Sequence, residues 1–197
     1  MKKIKLISYF LIASILFASF PILASAAVAN TVVSVTPVVQ AKTNWCWAAG
    51  AEMAGKQAYS SATRTQYNIV NYLKGTTSNP HSNVSGSIAD SANGSKYVTN
   101  NTKTFTATAS KWTWAQIQTR LKANKAVQAG AGYYSGSTRN GGHIVVIYGT
   151  QFIDNDSGTQ YKINYVDPAN GVRYTCLYSA FCDGTFNSRK YDQTIYY

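Results

Sequence analysis

The order of local patterns along the chain restricts its fold most strongly. Helical signals come first, as good helix formers or apolar residues at helical spacing, in three segments at 46–59, 65–74 and 112–125. The later part changes to short β-branched or aromatic segments between turn residues, at 126–134, 143–149, 161–167, 172–178 and 192–197. Helices followed by meandering antiparallel strands predict an α+β domain. Its helical half covers roughly 40–125 and its β half roughly 126–197, with a cleft between them.

The stretch between the second and third predicted helices gives little structural signal. Residues 76–111 are rich in Gly, Ser, Thr and Asn, which predicts long loops with at most one short helix. His81 lies here, and without a neighbouring cysteine or carboxylate it is interpreted as a solvated loop histidine. The chain shows no internal repeat, phosphate-binding glycine loop or zinc-ligand spacing, so no cofactor or metal is predicted.

The N-terminus has the features of a secretory signal. Three lysines precede an apolar run from Leu6, which closes on the small residues Ala24-Ser25-Ala26. A retained membrane anchor is the alternative, because about 20 apolar residues can span a bilayer. Pro21 and the small-residue ending favour cleavage after Ala26. We therefore expect a signal peptide at 1–26, followed by one secreted or cell-wall-associated domain at 27–197, monomeric and free of the membrane.

The charge of the mature chain suggests a class of partner. Removal of the three N-terminal lysines leaves 15 basic and 7 acidic residues, a net charge of +8. The basic residues are scattered, and export removes most nucleic acids as partners. An anionic cell wall fits this charge, and so does a positive surface that only keeps a secreted protein soluble.

Three cysteines in an exported chain leave one without an intramolecular partner. Cys176 and Cys182 are six positions apart, and an oxidising compartment favours a disulfide that closes this small loop. The alternative is that both thiols are unpaired. With the disulfide formed, Cys46 is the remaining free thiol.

Cys46 lies at the start of the first predicted helix, in Q-A-K-T-N-W-C-W-A-A. Unpaired N–H groups and the helix dipole at such a position stabilise a thiolate. Taken alone, the local sequence favours a buried cysteine packed between Trp45 and Trp47 over a nucleophile. Of these two indoles, we expect one in the core and the other along the wall of the cleft.

Two later residues supply what a nucleophilic thiol needs. His143 follows Gly141-Gly142 and begins a predicted strand, and Asp167 ends another strand directly before Pro168. Separately, each has an ordinary structural interpretation, as a sheet-edge histidine and a turn aspartate. Together with Cys46 they offer a nucleophile, a base and a group that orients the base.

These motifs resemble the papain-like cysteine peptidases, in particular a small bacterial branch that includes effector proteases of plant pathogens. The second half also resembles the peptidase domain of bacteriocin-exporting transporters. The resemblance rests on Q-A-K-T-N-W-C-W-A-A, G-G-H-I-V-V-I-Y-G and Y-V-D-P-A-N-G. It implies that Cys46 is the nucleophile, His143 the base, Asp167 the orienting group and Gln40 a donor to the oxyanion hole.

The sequence therefore predicts an exported cysteine endopeptidase that acts on protein or peptide substrates through an acyl-enzyme. A cell-wall peptide hydrolase or transamidase could use the same residues, and the positive charge favours it slightly. A non-catalytic binding or toxin module is the third hypothesis, and the presence of all four site residues argues against it.

Overall fold

The structure is a computed structural model that describes residues 27–75, 82–155, 157–185 and 188–197. The predicted signal peptide and His81 lie outside these ranges. Within them the chain forms the predicted α+β fold. It has five helices and one antiparallel sheet of seven strands. No helix in the described ranges is long and apolar enough to cross a membrane.

The sheet has the order β2-β7-β3-β4-β5-β6, and β1 pairs with β4. Its central strand is β4, of 18 residues, whose first part pairs with β3 and whose second part pairs with β1. The strands are β1 (Ala27–Val32), β2 (Thr106–Thr108), β3 (Val127–Ser135), β4 (Thr138–Asn155), β5 (Gly158–Asp167), β6 (Val172–Leu177) and β7 (Lys190–Tyr196). The five predicted strands are confirmed as β3 to β7, whereas β1 and β2 are additional.

The helices are α1 (Cys46–Ala58), α2 (Gln66–Lys74), α3 (Ile88–Val98), α4 (Trp114–Lys122) and α5 (Tyr178–Asp183). The three predicted helices are confirmed as α1, α2 and α4. Capping boxes begin α2, α3 and α4. The first three helices share one apolar core that reaches the sheet at Ile144 and Ile195. A second core includes residues of the sheet, α4 and α5.

The polar stretch that predicted loops contains α3, an eleven-residue helix. Its small residues allow close packing against neighbouring helices. A Cβ added at Gly94 would lie 2.7 Å from Ile69 and 3.0 Å from Ala51. On the opposite side of this contact, a Cβ at Gly55 would lie 2.5 Å from Val98. The small residues that indicated loops therefore allow a close contact between helices.

The predicted disulfide is not present, because Cys46, Cys176 and Cys182 are all free thiols. Cys176 is buried on β6, and this burial raises the pKa of its thiol to about 12. Cys182 lies on α5, where its thiol is hydrogen bonded to the Tyr178 hydroxyl. Each thiol is thus accommodated separately, in packing or in a hydrogen bond, rather than in a covalent link.

Candidate active site

Cys46 is the first residue of α1, and its helix begins without a side-chain cap. Thr43 and Asn44, which shortly precede the helix, do not cap it, because both are hydrogen bonded to Asn83. The backbone N–H groups of Cys46 and Trp47 have no intrahelical acceptor, because the first such bonds run from Ala48 and Ala49 to the Trp45 carbonyl. One of them, from Trp47, is hydrogen bonded to the Cys46 sulfur, as is the backbone N–H of Ile144 on β4. The helix start therefore presents its free donors to the thiol.

His143 and Asp167 lie on adjacent strands, β4 and β5, and both are buried. The distance from His143 Nε2 to Asp167 Oδ1 is 2.5 Å. The same carboxylate oxygen accepts the backbone N–H of Ala169 at 2.8 Å, from the turn that follows β5. These two bonds fix the carboxylate, and through it the orientation of the imidazole ring.

Cys46 and His143 are hydrogen bonded to each other. Since Nε2 of the ring is bonded to Asp167, Nδ1 is the nitrogen that faces the thiol. The three residues form one continuous chain from the start of α1, across β4, to the end of β5. The structure therefore brings together the nucleophile, base and orienting group that the sequence suggests.

The electrostatics of this chain favour a thiolate beside an imidazolium. Burial raises the pKa of Cys46, but its bonds to His143 and to the two backbone N–H groups outweigh burial and lower it. Burial lowers the pKa of His143, but its bonds to Asp167 and Cys46 outweigh burial and raise it. The two opposite shifts widen the pH range over which the ion pair is populated.

A comparison with protein families agrees with this geometry. The family described as "Papain-like cysteine protease AvrRpt2" matches residues 28–184, well over half of the chain. The chain belongs to this family. It is a papain-like cysteine protease, and the matched range contains Cys46, His143 and Asp167. No curated protein matches the chain in sequence.

The protease has a further charged residue behind the orienting carboxylate. Arg189, directly before β7, lies with Nη1 3.5 Å from Asp167 Oδ2. Burial raises the pKa of Asp167, but the bond to His143, the Ala169 N–H and the charge of Arg189 together lower it. Nothing in the sequence singles out Arg189, which is one of many scattered basic residues far from the recognisable motifs.

Gln40 does not have the arrangement that the oxyanion-hole assignment requires. Its Nε2 donates to the carbonyls of Lys42, at 3.0 Å, and Thr43, at 2.8 Å. Carbonyls can only accept, so both amide hydrogens are used by the turn that leads into α1. Gln40 lines a separate cavity of about 360 Å³ rather than the one that contains Cys46. In this structure the amide of Gln40 is therefore engaged in the turn, and its place in the oxyanion hole stays a prediction.

The tryptophans of the protease are also placed differently from the prediction. Trp45 and Trp47 are 0% and 1% exposed, so neither indole forms the cleft wall. Their indole N–H groups donate to the carbonyls of Ser82 and Val84, and a Cβ at Gly86 would lie 2.3 Å from the Trp47 ring. The indoles therefore support the segment from Ser82 to Gly86, which leads into the wall of the cavity.

A cavity of about 180 Å³ opens beside the thiol of the protease. One wall comes from the segment before α3 and its first residue, and the other from β4 and β7. The lining residues are Cys46, Gly86, Ser87, Ile88, Arg139, Gly142, His143, Ile144 and Gln193. The reactive sulfur thus faces a space of the size of one side chain.

Proposed function

We propose that this protease hydrolyses peptide bonds by nucleophilic catalysis with Cys46, His143 and Asp167. The observation that carries the proposal is the continuous hydrogen-bonded chain from the thiol at the start of α1, through the imidazole, to the buried carboxylate. A thiol in this setting is activated by its base and by the helix N-terminus, and the base is held by the third group. The adjoining cavity gives a substrate access to the sulfur.

The reaction has two steps. In the first, the Cys46 thiolate attacks the substrate carbonyl carbon, and the C–N bond of the tetrahedral intermediate breaks as the His143 imidazolium gives its proton to the leaving amine. In the second, the neutral imidazole takes a proton from water, whose oxygen attacks the thioester carbonyl. The carboxylic acid leaves, and the thiolate–imidazolium pair is restored. Asp167 stays ionised and keeps the ring aligned throughout.

The negative charge on the carbonyl oxygen needs hydrogen-bond donors. The backbone N–H of Cys46 is available, because the first residue of a helix has no intrahelical acceptor. Such a donor contributes about 3 kcal/mol of barrier lowering. Gln40 can add a second donor if its amide exchanges the Lys42 and Thr43 carbonyls for the oxyanion. The role of Gln40 is thus proposed for the reacting complex rather than for the free protein.

Purified protein from Ala27 onwards is expected to cleave casein, and alkylation of Cys46 with iodoacetamide should stop the cleavage. Peptide release is followed by mass spectrometry, with peptidoglycan peptides as the second substrate. Release from casein alone supports an endopeptidase. Release from peptidoglycan peptides alone would replace it by the cell-wall hydrolase. Hydrolysis of neither, by protein with a reactive Cys46, would contradict the proposed function.

We also propose that the protease acts outside the cell after removal of residues 1–26. Supporting this, residues 1–26 combine three lysines, an apolar run and the small-residue ending Ala24-Ser25-Ala26. The secreted protein is expected to have the intact mass of Ala27–Tyr197, measured on culture supernatant. Retention of the full-length mass in the cell fraction would contradict export.

The role of the +8 charge of the secreted form is tested separately. The secreted form is expected to bind purified cell walls and to lose this binding in high salt, which screens charge.

A further inference from the structure

The cavity beside Cys46 combines apolar sides with a polar end. Ile88, at the start of α3, and Ile144, on β4, supply the apolar sides. Arg139 and Gln193 supply polar groups from β4 and β7. At about 180 Å³ the cavity is smaller than the roughly 300–1,000 Å³ of sites for drug-sized ligands, so it suits one side chain.

The polar end is held in place by an ion pair. Arg139 Nε donates to Asp192 Oδ2 at 2.7 Å, and Arg139 Nη2 donates to Gln193 Oε1 at 3.2 Å. The Tyr134 hydroxyl donates to the same Asp192 oxygen at 2.7 Å. Three fixed bonds therefore position a guanidinium group at the rim of the cavity, with much less freedom than an unpaired surface arginine has.

Three glycines of β3 and β4 make the room for these side chains. A Cβ at Gly142 would lie 2.4 Å from Arg139 Nη2, and a Cβ at Gly132 would lie 2.6 Å from Asp192 Oδ2. Gly132 and Gly142 are register partners on the two strands, so they leave one continuous bare patch. A Cβ at Gly130 would lie 2.9 Å from the Cβ of Gln193. The polar end of the cavity thus lies against bare backbone. Larger residues at the three glycine positions would occupy the space that its side chains need.

The unused polar groups that a ligand in the cavity can reach at this end are all donors. Arginine can only donate, so Gln193 must turn its carbonyl oxygen towards Arg139 and its NH₂ away from it. Within the described residues, Gln193 Nε2 has no hydrogen-bond acceptor, and Arg139 has five N–H donors for its bonds to Asp192, Gln193 and Tyr134, so both side chains keep donors that are not used. The second oxygen of Asp192 is buried, so a ligand in the cavity does not reach it. A group that binds here must therefore accept hydrogen bonds.

We propose that this cavity selects a substrate side chain with an aliphatic stem and a terminal acceptor, namely glutamate or glutamine. The inference rests on the proposed peptidase function and adds a specificity. The stem packs between Ile88 and Ile144, and the terminal oxygens accept from Arg139 and Gln193. Because Asp192 already balances the charge of Arg139, the site discriminates acceptors from aliphatic side chains more strongly than it discriminates glutamate from glutamine.

The test is cleavage of a peptide library in which each position within three residues of the cut carries Glu, Gln, Leu or Lys. The wild type should show one position enriched in Glu and Gln. In the double variant Arg139→Met/Asp192→Asn, which leaves no unpaired charge, the Glu-to-Leu ratio of kcat/KM at that position should fall about 10- to 100-fold. The single variant Asp192→Asn keeps the donors of Arg139 and removes the opposing charge, so its Glu-to-Gln ratio should rise.

Lys103→Met is the matched control, since it removes one exposed positive charge on the loop that follows α3. It should leave the Glu-to-Leu ratio unchanged. The rate of Cys46 alkylation verifies that each variant keeps its site. Absence of a Glu and Gln preference in an active wild type, or the same ratio in the double variant, would overturn this inference alone. A wild type that cleaves no peptide overturns the peptidase function instead.

Discussion

Replacement of Cys46 by alanine is expected to abolish peptide hydrolysis, with a loss in kcat on the order of 10⁴- to 10⁶-fold. The side chain supplies the atom that forms the acyl-enzyme, and no other described thiol can substitute for it. Cys176 and Cys182 lie away from the cavity, and burial raises the pKa of each thiol, whereas the pKa of Cys46 is lowered. Initial rates on casein and on a fluorogenic peptide give the measurement.

The fold should survive this change. Cys46 is only partly buried and its sulfur contributes little to either core, so the free energy of unfolding should change by less than about 1 kcal/mol. Cys182→Ala is the matched control, because it removes a half-buried thiol outside the site. Full activity in Cys182→Ala and none in Cys46→Ala is the expected pair of results. Activity that persists in folded Cys46→Ala protein would remove the proposed mechanism.

The three residues of the hydrogen-bonded chain could be predicted because each lies beside a local signal in the sequence. Cys46 begins a helix, His143 follows a glycine pair, and Asp167 precedes a proline that ends a strand. The β4 strand itself begins at Thr138, before the glycine pair, so that pair did not mark the start of the strand. The α+β order was also predictable, since the period of the apolar residues changes once along the chain.

The parts that the sequence did not predict depend on contacts between distant segments. Gly94 lies in the stretch that predicted loops, yet it and Gly55 are the places where α3 approaches α1. The glycines of β3 likewise have a role only once Arg139 and Asp192 lie across them. Arg189 reaches Asp167 from a segment 22 residues later in the chain. Such pairings carry no local pattern, because the partner that gives them meaning is supplied by the fold.

Gln40 shows a different limit of prediction. Its spacing of six residues before Cys46 indicates proximity, and the residue does lie in the turn that leads to α1. The direction of its amide, however, depends on which backbone carbonyls of the turn lie within its reach. Here Lys42 and Thr43 take both N–H groups. Spacing therefore predicts the neighbourhood of such a side chain, while its hydrogen bonds are decided by the local backbone.

Asp167→Ala is expected to lower kcat/KM by about 10²-fold or more, whereas Asp167→Asn should stay within about tenfold of the wild type. Alanine removes the acceptor that fixes His143 Nε2, so the ring loses its orientation. Asparagine keeps an oxygen acceptor for His143 and Ala169, while it loses the charge and the second oxygen that faces Arg189. Rates on a single peptide, with thermal unfolding as the test of the fold, give the comparison. Asp154→Ala, at an exposed carboxylate on β4, is the matched control.

The pH profile separates an orienting and electrostatic role from a merely structural one. The carboxylate raises the pKa of His143, and the imidazolium in turn lowers the pKa of Cys46. Without the negative charge, His143 should lose its proton at a lower pH and Cys46 should keep its proton to a higher pH. The range of pH over which kcat/KM is high, which needs the thiolate and the imidazolium together, should therefore narrow from both sides, and rapid alkylation of Cys46 by iodoacetamide should begin at a higher pH. If Asp167→Ala and Asp167→Asn lose kcat/KM equally, and the acid and alkaline limbs of the pH profile do not move, Asp167 supports the fold rather than the ion pair.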